Sequence, residues 1–335
     1  MNLQAYLSAP PWPPVGPIPI GDRLLIFYPG GSPNGWHKLS TMQECQRLAA
    51  FYLAGYKFDT SADALIIGGL VHLGLAHLYA KQGLSVPGNQ VHILGQMLMG
   101  TGVRDRLYGP LEAIGIAAQI TEVENEALVK LSTDMIEGYM KLFALSHSQE
   151  FKVKAIEHPV SIADWAPELP PYTMLLDLMV ETWQGRRVVI DHKTTSSTPS
   201  EALIEEFAMS GQFYGQKLAA DRIFGQSDTT VEVNLLSKRG AGVRRRPLSL
   251  SSFILDGFPA HVARGLRERA ALVAAKPPKV DPYAWTPRLS GGSGGGCKNA
   301  YRLCSAVELC RGGPGRPYDE LARPQGRVDW SREND

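Results

Sequence analysis

Residues Tyr172–Thr195 read YTMLLDLMVETWQGRRVVIDHKTT. The first part, from about Thr173 to Thr182, is a long apolar run with one acid, Asp177, inside it. Gln184-Gly185 supplies a tight turn. Arg187–Asp191 then places Val-Val-Ile before a second acid, a run rich in the β-branched residues that strands favour. The stretch therefore predicts a β-hairpin. Asp191 ends the second strand and is followed at once by His192 and Lys193. Burying Asp177 in Leu-Leu-Asp-Leu-Met-Val costs free energy unless something binds the carboxylate. Two carboxylates and a lysine at neighbouring points of a hairpin suit metal-assisted phosphodiester hydrolysis, in which carboxylates hold Mg²⁺ or Mn²⁺ and the cation offsets charge in the transition state. Residues two apart on a strand share a face, so Lys193 points the way Asp191 does. The His192 side chain faces the other way, leaving its backbone carbonyl as a further candidate ligand. A bare Asp-x-Lys triplet is common at solvated strand ends, so the rest of the chain has to carry the reading.

The chain has 335 residues, of which 44% are hydrophobic, enough for one large domain or one domain with appendages. Lys plus Arg is 34 and Asp plus Glu is 33, so a nucleic-acid surface, if there is one, is local. The proline-rich start does not read as a signal segment. The longest apolar stretch, 64–80, is broken by Gly68, Gly69, His72, Gly74 and His77, which argues against a membrane span. A soluble, cytoplasmic protein is the expectation, and disulfides are not expected there.

In chain order, residues 1–38 read as an irregular Pro/Gly-rich arm. Ser40 and Thr41 offer caps for a helix through Cys45 to about Leu53. A buried helix runs from about Ser61 to Gln82, and an amphipathic one from about Val123 to Ser146, where Leu128, Leu131, Met135, Tyr139 and Leu142 recur at helical steps. Phe151–Ile156 is a strand leading to Glu157. After the hairpin come a helix from Ser200 to Phe224, strands at Val231–Leu236 and Val243–Leu250, and a helix over 253–274. This is an α/β arrangement around a small mixed sheet flanked by helices. No Walker A sequence is present, so a fused nucleotide-driven motor of that type is not expected.

Asp177, thirteen residues, Asp191, one residue and Lys193 resemble the core of the PD-(D/E)XK nuclease superfamily. The RecB/AddB-like branch, with its iron–sulfur CRISPR-associated and phage exonucleases, is the most similar. Its Gly-x-x-x-His helix matches Gly68 to His72, which implies that His72 is a metal ligand or lies beside one. A glutamate on the strand before the hairpin matches Glu157, whose ordinary explanation is an exposed strand end. The Gln-x-x-x-Tyr helix after the lysine matches at Gln212, while the aromatic place is held by Gln216, with Tyr214 nearby. The resemblance implies a restriction-endonuclease-like core over residues 39–311 and a trailing segment over 312–335. It implies metal ligation by His72, Asp177, Asp191 and the His192 carbonyl, with Lys193 and Gln212 assisting at the phosphate.

The four cysteines are Cys45, far upstream, and Cys297, Cys304 and Cys310, separated by six and five residues. This one-plus-three division is similar to the branch's cluster segment and implies a [4Fe–4S] cluster that staples a C-terminal segment to the N-terminal helices; a Cys₄ zinc site is the chemical competitor. Lys238, Arg239, Arg244, Arg245 and Arg246 flank a Gly-Ala-Gly turn and are candidate phosphate contacts, as is Tyr214. The implied function is a Mg²⁺- or Mn²⁺-dependent deoxyribonuclease acting on single strands or free ends in phage-like replication, recombination or repair, alongside protein partners in those processes. The alternatives are a structure-selective endonuclease on the same core and a non-catalytic DNA-binding or assembly module.

Overall fold

The computed structural model describes residues 15–20, 23–27, 34–54, most of 67–79, 122–225, 228–239, 242–276, 284, 298–299 and 302–303. Its centre is a five-stranded mixed sheet in the order β3-β4-β5-β6-β7, formed by Phe151–Ile162, Tyr172–Thr182, Arg187–Thr195, Thr230–Ser237 and Val243–Pro247. Strands β4 and β5 are the expected antiparallel hairpin, with Leu178 opposite Ile190 and Glu181 opposite Arg187. Gly185 closes the turn at φ +79°, a left-handed conformation that glycine adopts without steric cost. The Gly185 and Arg186 N–H groups donate to the Thr182 carbonyl and hydroxyl at 2.9 and 3.1 Å. Strands β5 and β6 are parallel, and a parallel pair needs a crossover. It is supplied by two helices, Glu201–Ala208 and Gly211–Phe224. Strand β7 returns antiparallel to β6.

Each face of the sheet is apolar. Leu178, Val180, Val188, Ile190 and Leu236 pack with Ile67, Val71, Leu75 and Tyr79 and with Met135, Ile136 and Tyr139 of the long helix Glu122–Glu150. Residues 67–69, 71–72, 74–76 and 78–79 are helical. Val231, Val233 and Leu235, from the other face, pack with Ile204 and Phe213 of the crossover helices. The result is an α/β arrangement with helices on both faces.

By its contacts the chain divides into two compact units that interleave in sequence. One takes residues 1–31, 63–161 and 174–256, and the other 32–62, 162–173 and 257–335. The second unit contains α1 (Trp36–Glu44), α2 (Gln46–Leu53) and most of the helix Ser252–Ala275. Met42, Ala49 and Ala50 form its small core, with Leu53 and Leu272 against them. Trp36 meets Phe258 with ring centroids 5.6 Å apart, and Arg269 donates to Asn34 Oδ1 at 2.7 Å.

Three sequence expectations are corrected. The arm over 1–38 contains an antiparallel pair, β1 (Val15–Ile20) and β2 (Arg23–Phe27). Its prolines hid it: the register is irregular between Val15 and Ile18, where Gly16-Pro17 sits, because proline has no N–H for a ladder. The helix to Leu53 is two helices. Cys45 is extended at φ −157°, its N–H donates to the Thr41 carbonyl, and its Sγ accepts from the Leu48 N–H at 3.4 Å. The helix to Phe224 is likewise broken before Gly211, where Ser210 caps the second piece.

Candidate metal centre

Continuing the hairpin register by one pair sets Asp177 opposite Asp191. Both are buried, Asp191 to 1% exposure. The two strands part here. Instead of a regular ladder bond, the His192 N–H donates to Asp177 Oδ2 at 2.7 Å. The carboxylate is thus turned to the end of the hairpin and fixed by the backbone of the next strand.

Two more groups reach this point from other elements. A Cβ on Gly68 would lie 3.8 Å from Thr194 Oγ1, so the helical stretch containing it passes close to the end of β5. His72, one turn further, places Nδ1 3.4 Å from Asp177 Oδ2 and 3.9 Å from Glu157 Oε1. Glu157 arrives from β3, and it is 3% exposed rather than the solvated strand end its sequence position suggests. It has φ +45°, and no other described non-glycine residue has a positive φ. That conformation costs about 1–2 kcal/mol for a residue with a Cβ, and such strain persists where the surrounding structure enforces it, commonly at functional sites. The Glu157→Gly variant should therefore unfold a few degrees above Glu157→Ala in metal-free thermal scans. Equal melting temperatures would remove the strain from the account.

One donor atom each from His72, Glu157 and Asp177 lies within 4.8 Å of the others. A cation bound about 2.1 Å from each of two carboxylate oxygens and an imidazole nitrogen fits that triangle after small side-chain adjustments. The donor set suits Mn²⁺ and Mg²⁺, and the imidazole tilts it toward Mn²⁺. Charge points the same way. Burial raises the Asp177 carboxyl above the ordinary carboxylate range, and Asp191 and Glu157 add to the rise against the opposing pull of His72 and Lys193. For His72, desolvation works against the charged form, but Asp177 and Glu157 outweigh it and lift the imidazole to about 9. The metal-free cluster therefore takes up protons where a cation would serve.

Beside this triangle lies a second group. Lys193 Nζ is 2.5 Å from Asp191 Oδ2. Desolvation opposes the ammonium charge, yet Asp191 and Asp177 hold its pKa above the usual lysine value. The ammonium lies 5.6 Å from the centre of the Phe213 ring. Gln212, in the first turn of Gly211–Phe224, donates to Asp191 Oδ1 at 2.8 Å.

No protein-family model and no curated protein matches this chain. The site therefore rests on its own geometry.

His72, Glu157, Asp177, Asp191, Lys193 and Gln212 all meet at the end of the hairpin. The His192 side chain does face the other side of the sheet. It stacks on Tyr79 with ring centroids 5.9 Å apart and bonds to Asn234 Nδ2 through Nδ1 at 3.1 Å. Asn234 also donates to the Tyr139 hydroxyl, which meets that of Tyr79. His192 brings its backbone to the acids, its N–H donating to Asp177 Oδ2.

Tyr214 is 1% exposed and its hydroxyl accepts from the Ser251 N–H at 3.3 Å, so its ring belongs to the core. Arg244 and Arg246 both pair with Glu201, at 2.6 and 3.5 Å, and Arg245 pairs with Glu232 at 3.5 Å. The three arginines share two acids, both from other elements. Lys238 and Arg239 follow β6 at its end. Cys297, Cys304 and Cys310 lie outside the described residues. Among the described residues no helix is long and apolar enough to cross a membrane.

One site residue has a role that its sequence position did not suggest. Gln216 donates to Asp191 Oδ1 at 2.7 Å, the same oxygen that Gln212 reaches.

Proposed function

We propose that the protein is a metal-dependent nuclease that hydrolyses phosphodiester bonds in DNA, acting as an exonuclease on single strands or free ends. The observation that carries the proposal is the convergence of His72, Glu157 and Asp177 next to the Asp191–Lys193 pair. Three buried acids with one imidazole and one ammonium form a poor structural device, because each buried carboxylate costs free energy. As a cation site the same set is well matched. A bound Mn²⁺ or Mg²⁺ would neutralise phosphoryl oxygens and lower the pKa of a water for attack. Asp177, Glu157 and His72 would hold it, with Asp191 at its edge. Lys193 places a positive charge beside Asp191, where it can orient the attacking water or meet a phosphoryl oxygen. Gln212 keeps the Asp191 carboxylate turned toward that lysine.

The choice of DNA and of free ends comes from the resemblance to the RecB/AddB-like nucleases, as does a role in replication, recombination or repair. Given MnCl₂, the full-length protein should shorten a linear labelled strand and spare a circular one. Cleavage of the circle would favour the structure-selective endonuclease. Inertness toward linear, circular, duplex and flap DNA would leave a non-catalytic module.

A [4Fe–4S] cluster on Cys45, Cys297, Cys304 and Cys310 belongs to the same proposal. It is carried by the resemblance, and the structure describes Cys45 Sγ as accepting the Leu48 N–H at the N-terminus of α2. Such hydrogen bonds to sulfur are among the ways a protein tunes a cluster. Protein prepared without oxygen should be brown and contain iron, and Cys45→Ser should lose both. Zinc without iron would replace the cluster with a Cys₄ zinc site.

A further inference from the structure

Gln216 is 1% exposed and lies one helical turn after Gln212, so the two amides share a face. Both donate to one atom, Asp191 Oδ1, at 2.7 and 2.8 Å. An ionised carboxylate only accepts hydrogen bonds, so each amide is obliged to turn its NH₂ toward Asp191. For Gln216 this has a cost. Its Oε1 is directed elsewhere, and there it is buried without a hydrogen-bond partner among the described residues. A buried carbonyl left unpaired is destabilising, and a methionine of similar shape would fill the same space without that penalty. Packing alone therefore does not account for a glutamine here.

The consequence appears on the other oxygen of Asp191. With Oδ1 taken by two amides, the rotation of the carboxylate is fixed. Oδ2 is left to Lys193, with no hydrogen-bond partner among the described residues beyond that ion pair. Asp191 and Asp177 each lie one residue beyond the last hairpin pair, Leu178–Ile190, and Asp191 shares the field of Asp177. We infer that Gln216 is a positioning residue for the metal centre, which together with Gln212 locks the Asp191 carboxylate, and with it Lys193, beside the ligand set of His72, Glu157 and Asp177. This rests on the metal-binding part of the proposed function. Residues that orient a metal ligand through a hydrogen bond commonly contribute ten- to a hundredfold to metal affinity.

The test is calorimetric titration of the full-length, metal-free protein with MnCl₂, for wild type, Gln216→Met and Gln216→Asn. Methionine keeps the volume and removes the donor. Asparagine keeps the amide and withdraws it by one methylene. Thermal unfolding in EDTA is run beside each titration. The expected result is an Mn²⁺ affinity about ten- to a hundredfold weaker in both variants, with metal-free melting temperatures near that of wild type. Wild-type affinity in Gln216→Met would overturn the inference while leaving the metal site standing. Absence of Mn²⁺ binding in the wild type would overturn the inference and the metal reading together. Failure of both variants to fold without metal would make Gln216 a structural residue and would also overturn it.

Discussion

Replacing either hairpin acid with its amide should abolish Mn²⁺-dependent cleavage, yet the two replacements should move metal-free stability in different directions. In Asp177→Asn the lost charge is one that burial, Asp191 and Glu157 oppose more strongly than His72 and Lys193 favour it. The new amide oxygen can still accept the His192 N–H that now reaches Asp177 Oδ2. The metal-free melting temperature should hold or rise. In Asp191→Asn the lost charge is the partner of Lys193. The remaining side chain also faces three donors, from Gln212, Gln216 and Lys193, so its NH₂ is forced against one of them. Breaking a buried pair this way costs about 3 kcal/mol, and the melting temperature should fall by several degrees. Cleavage should drop at least about a hundredfold in both. Thermal scans in EDTA and a gel assay on a labelled strand read the two effects separately. Parallel stability changes would mean that the acids are not divided between a cation site and a lysine clamp.

The second large effect concerns pH. The folded-state pKa of His72 is raised from 6.5 to about 9, so the native state binds more protons than the unfolded state between those values. Stability falls with rising pH wherever the native state holds the excess protons. The contribution of His72 is complete below about pH 6.5 and is lost as pH rises through 9. Asp177 acts with the same sign, since its carboxyl is also raised. Metal-free protein should therefore melt at progressively lower temperature from pH 6 to pH 9. Cation binding needs the imidazole neutral and the carboxyl ionised, so Mn²⁺ affinity should rise across the same range as bound protons are released. In saturating MnCl₂ the decline should flatten or reverse. His72→Asn should weaken the pH slope of the metal-free protein. Thermal unfolding at several pH values, with EDTA and with MnCl₂, checks both statements. A metal-free stability that rises from pH 6 to pH 9 would contradict them.

The central hairpin is legible in sequence because its signals are local. Gly185 supplies the left-handed turn residue, Val188–Ile190 supply the strand, and an acid inside an apolar run marks Asp177 as unusual. The register then decides whether Asp177 and Asp191 meet, and cross-strand packing of Leu178 and Ile190 on the buried face holds it. Glu157 was harder to judge. Its burial comes from a left-handed backbone position inside β3, and no residue type announces such a conformation in a glutamate. Gln216 is easily passed over, because it stands where the Gln-x-x-x-Tyr pattern has its aromatic residue. The available signal was simpler: a second amide four residues after Gln212, on the same helical face. The ion pairs of the β7 arginines are not legible in sequence, because Glu201 and Glu232 come beside them only in the fold. The break at Cys45 follows from its thiol and backbone acting as caps, roles that the sequence alone does not assign to a cysteine.

The most direct test of the metal centre is anomalous diffraction at the manganese edge from crystals of the full-length protein grown with MnCl₂. The account predicts a peak at the end of the hairpin, about 2.1 Å from oxygens of Asp177 and Glu157 and about as far from a His72 ring nitrogen, with Asp191 facing it. Manganese bound elsewhere, or its absence from this cluster at millimolar concentration, would contradict the account.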